Sequence, residues 1–207
     1  VRKEGEADMK RPARPITTTE KVLDIQDYLK YYSYRNYVLF VVGITTGYRA
    51  GDLVKLKVRD IKETLKRKEF TIFEGKKMNS KNIREKNRRP RSVELIPGIE
   101  KILKEYIKNK KDYEYIFQSR KGINKHIGVQ AVSNILKAAG EHFDLQDISA
   151  HSMRKTYAYK LYIESGRDIV LVKELLGHSS IEETKRYIGI DKEHYHEVSK
   201  SLNDFIR

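Results

Sequence analysis

At 207 residues the chain can bury one good core, or two small domains around a shared cleft, and 39% apolar content with 14 Tyr and 6 Phe argues for a folded protein despite 35% charged residues. Its 43 Lys and Arg against 29 Asp and Glu give a formal net charge of +14, which favours a polyanionic partner, nucleic acid before acidic lipid. The lack of cysteine excludes disulfides, thiolate metal sites and cysteine nucleophiles. The longest apolar run, residues 37–44, is far too short to span a bilayer, so a soluble cytoplasmic or nucleoid-associated protein with no membrane partner is expected.

Residues 1–15 carry alternating charges with Pro12 and Pro15 and read as a linker or arm; because the first residue is Val1 rather than Met, an upstream part is expected. Thr17 and Glu20 have the spacing of a capping box, and Val22, Ile25, Tyr28 and Leu29 then recur at helical intervals, which predicts a helix over 18–31. Residues 34–44 are apolar on nearly all sides, as in a buried helix, and Thr45, Thr46 and Gly47 end it. A short helix over 50–56 follows. Alternation over 69–73 and again over 92–96 predicts two strands, joined by a long basic connection.

Helical periodicity returns over 99–109, and the apolar pair Ile116 and Phe117 reads as a possible third strand. A helix over 129–139 is closed by Gly140, an amphipathic helix over 152–165 ends at Gly166, and Asp168 caps a helix over 169–176 before Gly177. Another helix begins at Ser179 or Ser180, and 191–206 forms a tail helix. The predicted class is mainly α with a small antiparallel β-sheet, arranged as an arm (1–15), a body (16–190) and a tail (191–207).

The chemistry concentrates in three places. His151 and Arg154 stand three apart at a helix start, where they share a face and where unpaired backbone N–H groups favour an anion. Arginine supplies a planar fork for two phosphate oxygens that lysine does not reproduce. His178 follows a helix-ending glycine, and Tyr187 lies nine residues further on, so a turn between short helices brings both to one cleft. Arg49 opens a third helix with Asp52 three positions on, a carboxylate able to hold the guanidinium in place. Two arginines on one phosphate suit phosphoryl transfer, whose transition state concentrates charge on the non-bridging oxygens. By contrast His194 and His196, two apart on a helix, point away from each other and make a poor metal pair, and Tyr157, Tyr159 and Tyr162 read as helix packing.

The segments TGYRAGDL, HSMRKTYA and LGHSS, followed by a tyrosine, resemble the tyrosine recombinases of the phage integrase family in order and approximate spacing, across residues 16–190. The resemblance implies the DNA breaking-rejoining catalytic fold and a site-specific recombinase or integrase acting on double-stranded DNA as a self-associated tetramer. It also implies roles: Arg49 and Arg154 as phosphate clamps, His151 at the His or Lys position beside that phosphate, His178 as the second histidine and Tyr187 as nucleophile. A lysine on the hairpin after the second family strand would protonate the leaving 5′-oxygen. Aligning on Gly75 favours Lys76 and a gapless count favours Lys77, so both stay open.

Attack by tyrosine on the scissile phosphate would yield a 3′-phosphotyrosine and a 5′-hydroxyl, with no cofactor and no metal required, because fixed cations take the role Mg²⁺ has elsewhere. The connection over 78–91 is longer and more basic than the hairpin usual in the family, Gly51 stands where Ser or Ala is common, and a counterpart of the family's N-terminal DNA-clamping domain is not expected within these 207 residues. Two rivals share the charge pattern: a type IB topoisomerase-like relaxing enzyme and a non-catalytic DNA-binding module. Tyr195 would replace Tyr187 only if the tail folded back.

Overall fold

The most apolar stretch of the sequence becomes the centre of the core. In the computed structural model, which describes residues 12–72, 90–189 and 200, helix α2 (Tyr34–Thr46) buries the continuous run from Val38 to Gly43. Packed on it are α1 (Thr19–Tyr32), through Ile25 and Leu29, and the long helix α7 (Ala150–Glu164). Between them in the chain lie α3 (Ala50–Leu53), α4 (Val58–Arg67), strands β1 (Glu69–Ile72) and β2 (Arg91–Glu94), α5 (Pro97–Ile107) and α6 (Val129–His142). Helices α8 (Ile169–Leu176) and α9 (Ile181–Ile188) complete the described part. Among the described residues the sheet is two-stranded and antiparallel, pairing Glu69 with Glu94 and Ile72 with Arg91. The class expected from the sequence is the class observed.

Helix α7 joins two apolar clusters. Its first half sends Ala150 and Met153 into the main core with α1, α2, α5 and α6, whereas Tyr157 and Ala158 pack with Val172, Leu176 and Ile188 in a smaller cluster built on α8 and α9. The segment before α1 is tied to the same helix: Ile16 is buried and its N–H donates to Thr156 Oγ1 at 2.8 Å, while Arg14 N–H donates to Asp147 O at 3.0 Å.

Several local expectations are corrected. The cap of α1 is Thr18, whose hydroxyl accepts from Lys21 N, rather than Thr17. The short helix expected over 50–56 stops at Leu53, and α4 follows it unforeseen; its buried face of Val58, Ile61 and Thr64 is hidden in the sequence among six charged neighbours. No third strand forms at Ile116 and Phe117. Their backbones make single bonds to either side, Ile116 N to Leu56 O and Ile127 N to Phe117 O, in bridges too isolated to build a ladder, and both side chains are core. Gly140 does not end α6. It lies inside the helix, which runs on to His142, and what calls for glycine there is the close approach of the following chain: a Cβ at 140 would sit 2.8 Å from Ile148 Cβ. The tail expected over 191–206 lies outside the described residues apart from Lys200, which is helical.

Candidate active site

Two left-handed glycines end the helices that deliver the site. Gly47 (φ 61°) closes α2 and turns the chain so that Arg49 becomes the N-cap of α3; Gly177 (φ 63°) closes α8 directly before His178. At 47 the conformation is required twice over, since a Cβ there would also stand 2.4 Å from the Tyr157 ring. Ser180 then caps α9 by accepting from Glu183 N at 3.1 Å, and α9 carries Tyr187 on its last turn.

Arg154, on the second turn of α7, is the largest fully buried side chain of the described residues, at 2% exposure. Its guanidinium reaches two different elements: Nη1 donates to Gly47 O at 2.6 Å and Nη2 to Leu176 O at 2.9 Å. These charge-assisted bonds lock together the turn that precedes Arg49 and the helix end that precedes His178. One turn earlier His151 is exposed, so the pair expected to share a face runs from the surface to the interior along the start of α7.

Tyr187 completes the cluster. Its ring lies 5.9 Å from the Arg154 guanidinium carbon and 5.7 Å from Lys155 Nζ, and its centroid is 4.6 Å from that of His178. His178 is buried, with Nδ1 3.0 Å from Thr184 Oγ1 and Nε2 3.9 Å from Glu183 Oε1. The Thr184 hydroxyl also lies 3.3 Å from Ser180 O, so one side chain links the imidazole to the cap of α9. Burial works to raise the Glu183 carboxyl, but His178, two hydrogen bonds from Ser179 and the charge of Arg49 outweigh it and hold the group below its ordinary value. That influence places Arg49 in the same electrostatic neighbourhood as His178. Asp52, one turn beyond Arg49, is half-buried on the wall of a cleft shared with Tyr48, Asp60 and Thr71.

The structure therefore gathers Arg154 and His178 around the Tyr187 ring, and Arg49 bears on this group through the effect of its charge on Glu183. Lys76 and Lys77 lie outside the described residues, as do His194, Tyr195 and His196. Among the described residues no group of three or more His, Asp or Glu is placed to hold a metal ion, and no helix is long and apolar enough to cross a membrane. Three participants went unread in the sequence. Glu183 had a signal, the S-x-x-E spacing from Ser180. Lys155, half-buried with Nζ donating to Arg186 O at 2.9 Å, and Arg91 had none, because their partners are remote in the chain.

The sequence profile of the phage integrase family matches residues 16–194. The probable integrase/recombinase YoeC of Bacillus subtilis (strain 168) is 31% identical over 183 residues, which cover 87% of this chain and 91% of that protein. The chain belongs to the phage integrase family. Another member, tyrosine recombinase XerH of Helicobacter pylori (strain ATCC 700392 / 26695), is 28% identical over 172 residues, 80% of this chain but 44% of XerH. The chain thus spans nearly all of one relative and under half of the other. Among solved structures, the fold is shared with the XerA recombinase (TM-score 0.64, 20% identity, 95% of this chain and 67% of that one). It is shared too with XerH bound to its difH substrate in a pre-cleavage complex (TM-score 0.61, 23% identity, 91% and 55%). The relatives bear the names integrase/recombinase and tyrosine recombinase, and the mainly helical fold with its small sheet is that of the recombinase structures.

Proposed function

We propose that this chain is a site-specific DNA recombinase or integrase that cleaves and rejoins double-stranded DNA through a 3′-phosphotyrosine intermediate. The observation that carries the reading is the convergence on the ring of Tyr187, in α9, of Arg154 from α7 and His178 from the link between α8 and α9. The relatives' names, integrase and recombinase, and the DNA substrate in the XerH complex favour the same reading, as does the net charge of +14.

In this reading Arg49 and Arg154 hold the non-bridging oxygens of the scissile phosphate, with Asp52 supporting Arg49 and His151 contributing from the exposed rim. Tyr187 Oη attacks phosphorus, its proton passes to the site's bases, and the 5′-oxygen departs with a proton from Lys76 or Lys77. The phosphotyrosine conserves the bond energy, so a 5′-hydroxyl from a second duplex reverses the step and completes strand exchange. Fixed cations aimed at the developing charge lower the barrier because they need no reorganisation as charge builds. Action on two duplexes calls for self-association on DNA, as a tetramer, in the compartment that holds the genome.

The test is covalent capture. A pool of nicked duplexes with randomised sequence is incubated with the protein, and denaturing electrophoresis separates protein-linked DNA. The expected result is an adduct, enriched for one sequence class, that Tyr187→Phe abolishes. Adduct formation that persists in Tyr187→Phe would reassign the nucleophile. Relaxation of supercoiled DNA regardless of sequence would replace the recombinase reading with a relaxing enzyme.

A further inference from the structure

We infer that Arg91, the first residue of β2, is a positioning residue that couples the β-hairpin to the Arg49 phosphate clamp. The inference rests on the recombinase reading and adds to it a residue outside the signature motifs. Arg91 Nη2 donates to Thr46 O at 2.7 Å, its guanidinium carbon lies 5.7 Å from the centre of the Tyr157 ring, and Nη1 stands 3.5 Å from Tyr157 Oη. Arg154 bonds the very next carbonyl, Gly47 O. The two-residue turn that aims Arg49 is therefore gripped by an arginine from each side, with the Tyr157 ring pressed against Gly47 between them.

The grip extends into the sheet. Arg91 pairs with Ile72 at the end of the ladder from which the chain runs on to Lys76 and Lys77. On the facing strand Thr71 O accepts from Tyr48 Oη at 3.3 Å, so the residue just before Arg49 is tied to β1. Burial pushes the Tyr48 phenol above its ordinary value, with Arg91 acting in the opposite direction, which keeps that hydroxyl a donor to Thr71. A carbonyl bonded to a charged guanidinium cannot drift without losing the bond, so the ordered start of β2 fixes the α2–α3 turn.

The experiment compares the wild-type chain with Arg91→Ala and Arg91→Lys for thermal unfolding, DNA affinity and single-turnover adduct formation on a captured duplex. Both variants are expected to cleave about 10- to 100-fold more slowly at saturating DNA, the scale on which a misplaced catalytic group acts, with affinity changed less than threefold by estimate, about 0.6 kcal/mol. Arg91→Lys retains the charge, so it remains decisive if Arg91→Ala unfolds. A duplex with a neutral methylphosphonate at the scissile position separates positioning from general structure: the deficit should shrink there, because the clamp no longer faces the same negative oxygen. The deficit should also be non-additive with Arg49→Ala. Wild-type rates in Arg91→Lys, an equal deficit on both substrates, or a loss confined to affinity would each overturn the inference. Failure of the wild-type chain to form any adduct would instead count against the recombinase reading itself.

Discussion

Replacing Arg154 by Lys conserves charge but removes the geometry that the structure uses. The guanidinium spans Gly47 O and Leu176 O from two separate nitrogens at 2% exposure, and a single ammonium nitrogen does not reproduce that planar two-armed bridge. Losing one charge-assisted hydrogen bond costs about 1.5–3 kcal/mol. At about 2–4 °C per kcal/mol for a chain of this size, the melting temperature should fall by about 3–12 °C. The rate should fall further than stability implies, because a donor aimed at developing phosphate charge is worth roughly 10²–10³-fold. DNA affinity should stay within a few-fold, since the net charge is unchanged and phosphate contacts are spread over the interface. Calorimetry, a fluorescence-anisotropy titration and single-turnover capture measure the three quantities on one preparation. An unchanged melting temperature together with a wild-type cleavage rate would refute the claim that this fork organises the site.

Three further outcomes follow from local geometry. Gly47→Ala should destabilise by about 1–2 kcal/mol from the left-handed backbone alone, with the clash against Tyr157 added, and calorimetry should show a loss larger than for Gly51→Ala, where a Cβ meets nothing within 4 Å. Gly140→Val should cost about 1–3 kcal/mol or more through overpacking against Ile148; a neutral denaturant midpoint would show that the α6 end yields freely. Glu183→Gln should carry an acid-dependent penalty. A carboxyl held below its ordinary value of 4.5 stabilises the fold above that pH and loses the contribution as pH falls through the lowered value. The melting difference from wild type should therefore be largest at neutral pH and close below pH 4.5, and a pH-independent difference would contradict the assignment.

The elements with strong local signals were legible from the sequence: α2 from its continuous apolar run, α8 from the Asp168 cap whose carboxylate accepts from Val170 N and Leu171 N, and the strand pair from its alternation. Helix α4 was lost because four of its ten residues carry positive charge, two are acidic, and its buried face is short. The Ile116–Phe117 strand was over-read because apolar content marks burial whether or not a neighbouring backbone lies alongside.

The candidate site divides in the same way. Sequence alone determined which groups are available: Arg49, His151, Arg154, His178 and Tyr187 are chemical types, and their order and spacing are written in the chain. Tertiary structure alone decided what each one touches. Arg154 reads as a phosphate ligand at a helix start, yet it also ties residue 47 to residue 176, bonds that span 107 and 22 positions. Lys155 beside Tyr187 and Arg91 beneath Thr46 have the same origin. Short-range periodicity records how a segment meets solvent and core, whereas a hydrogen bond between distant segments depends on how whole helices pack, which no local pattern encodes.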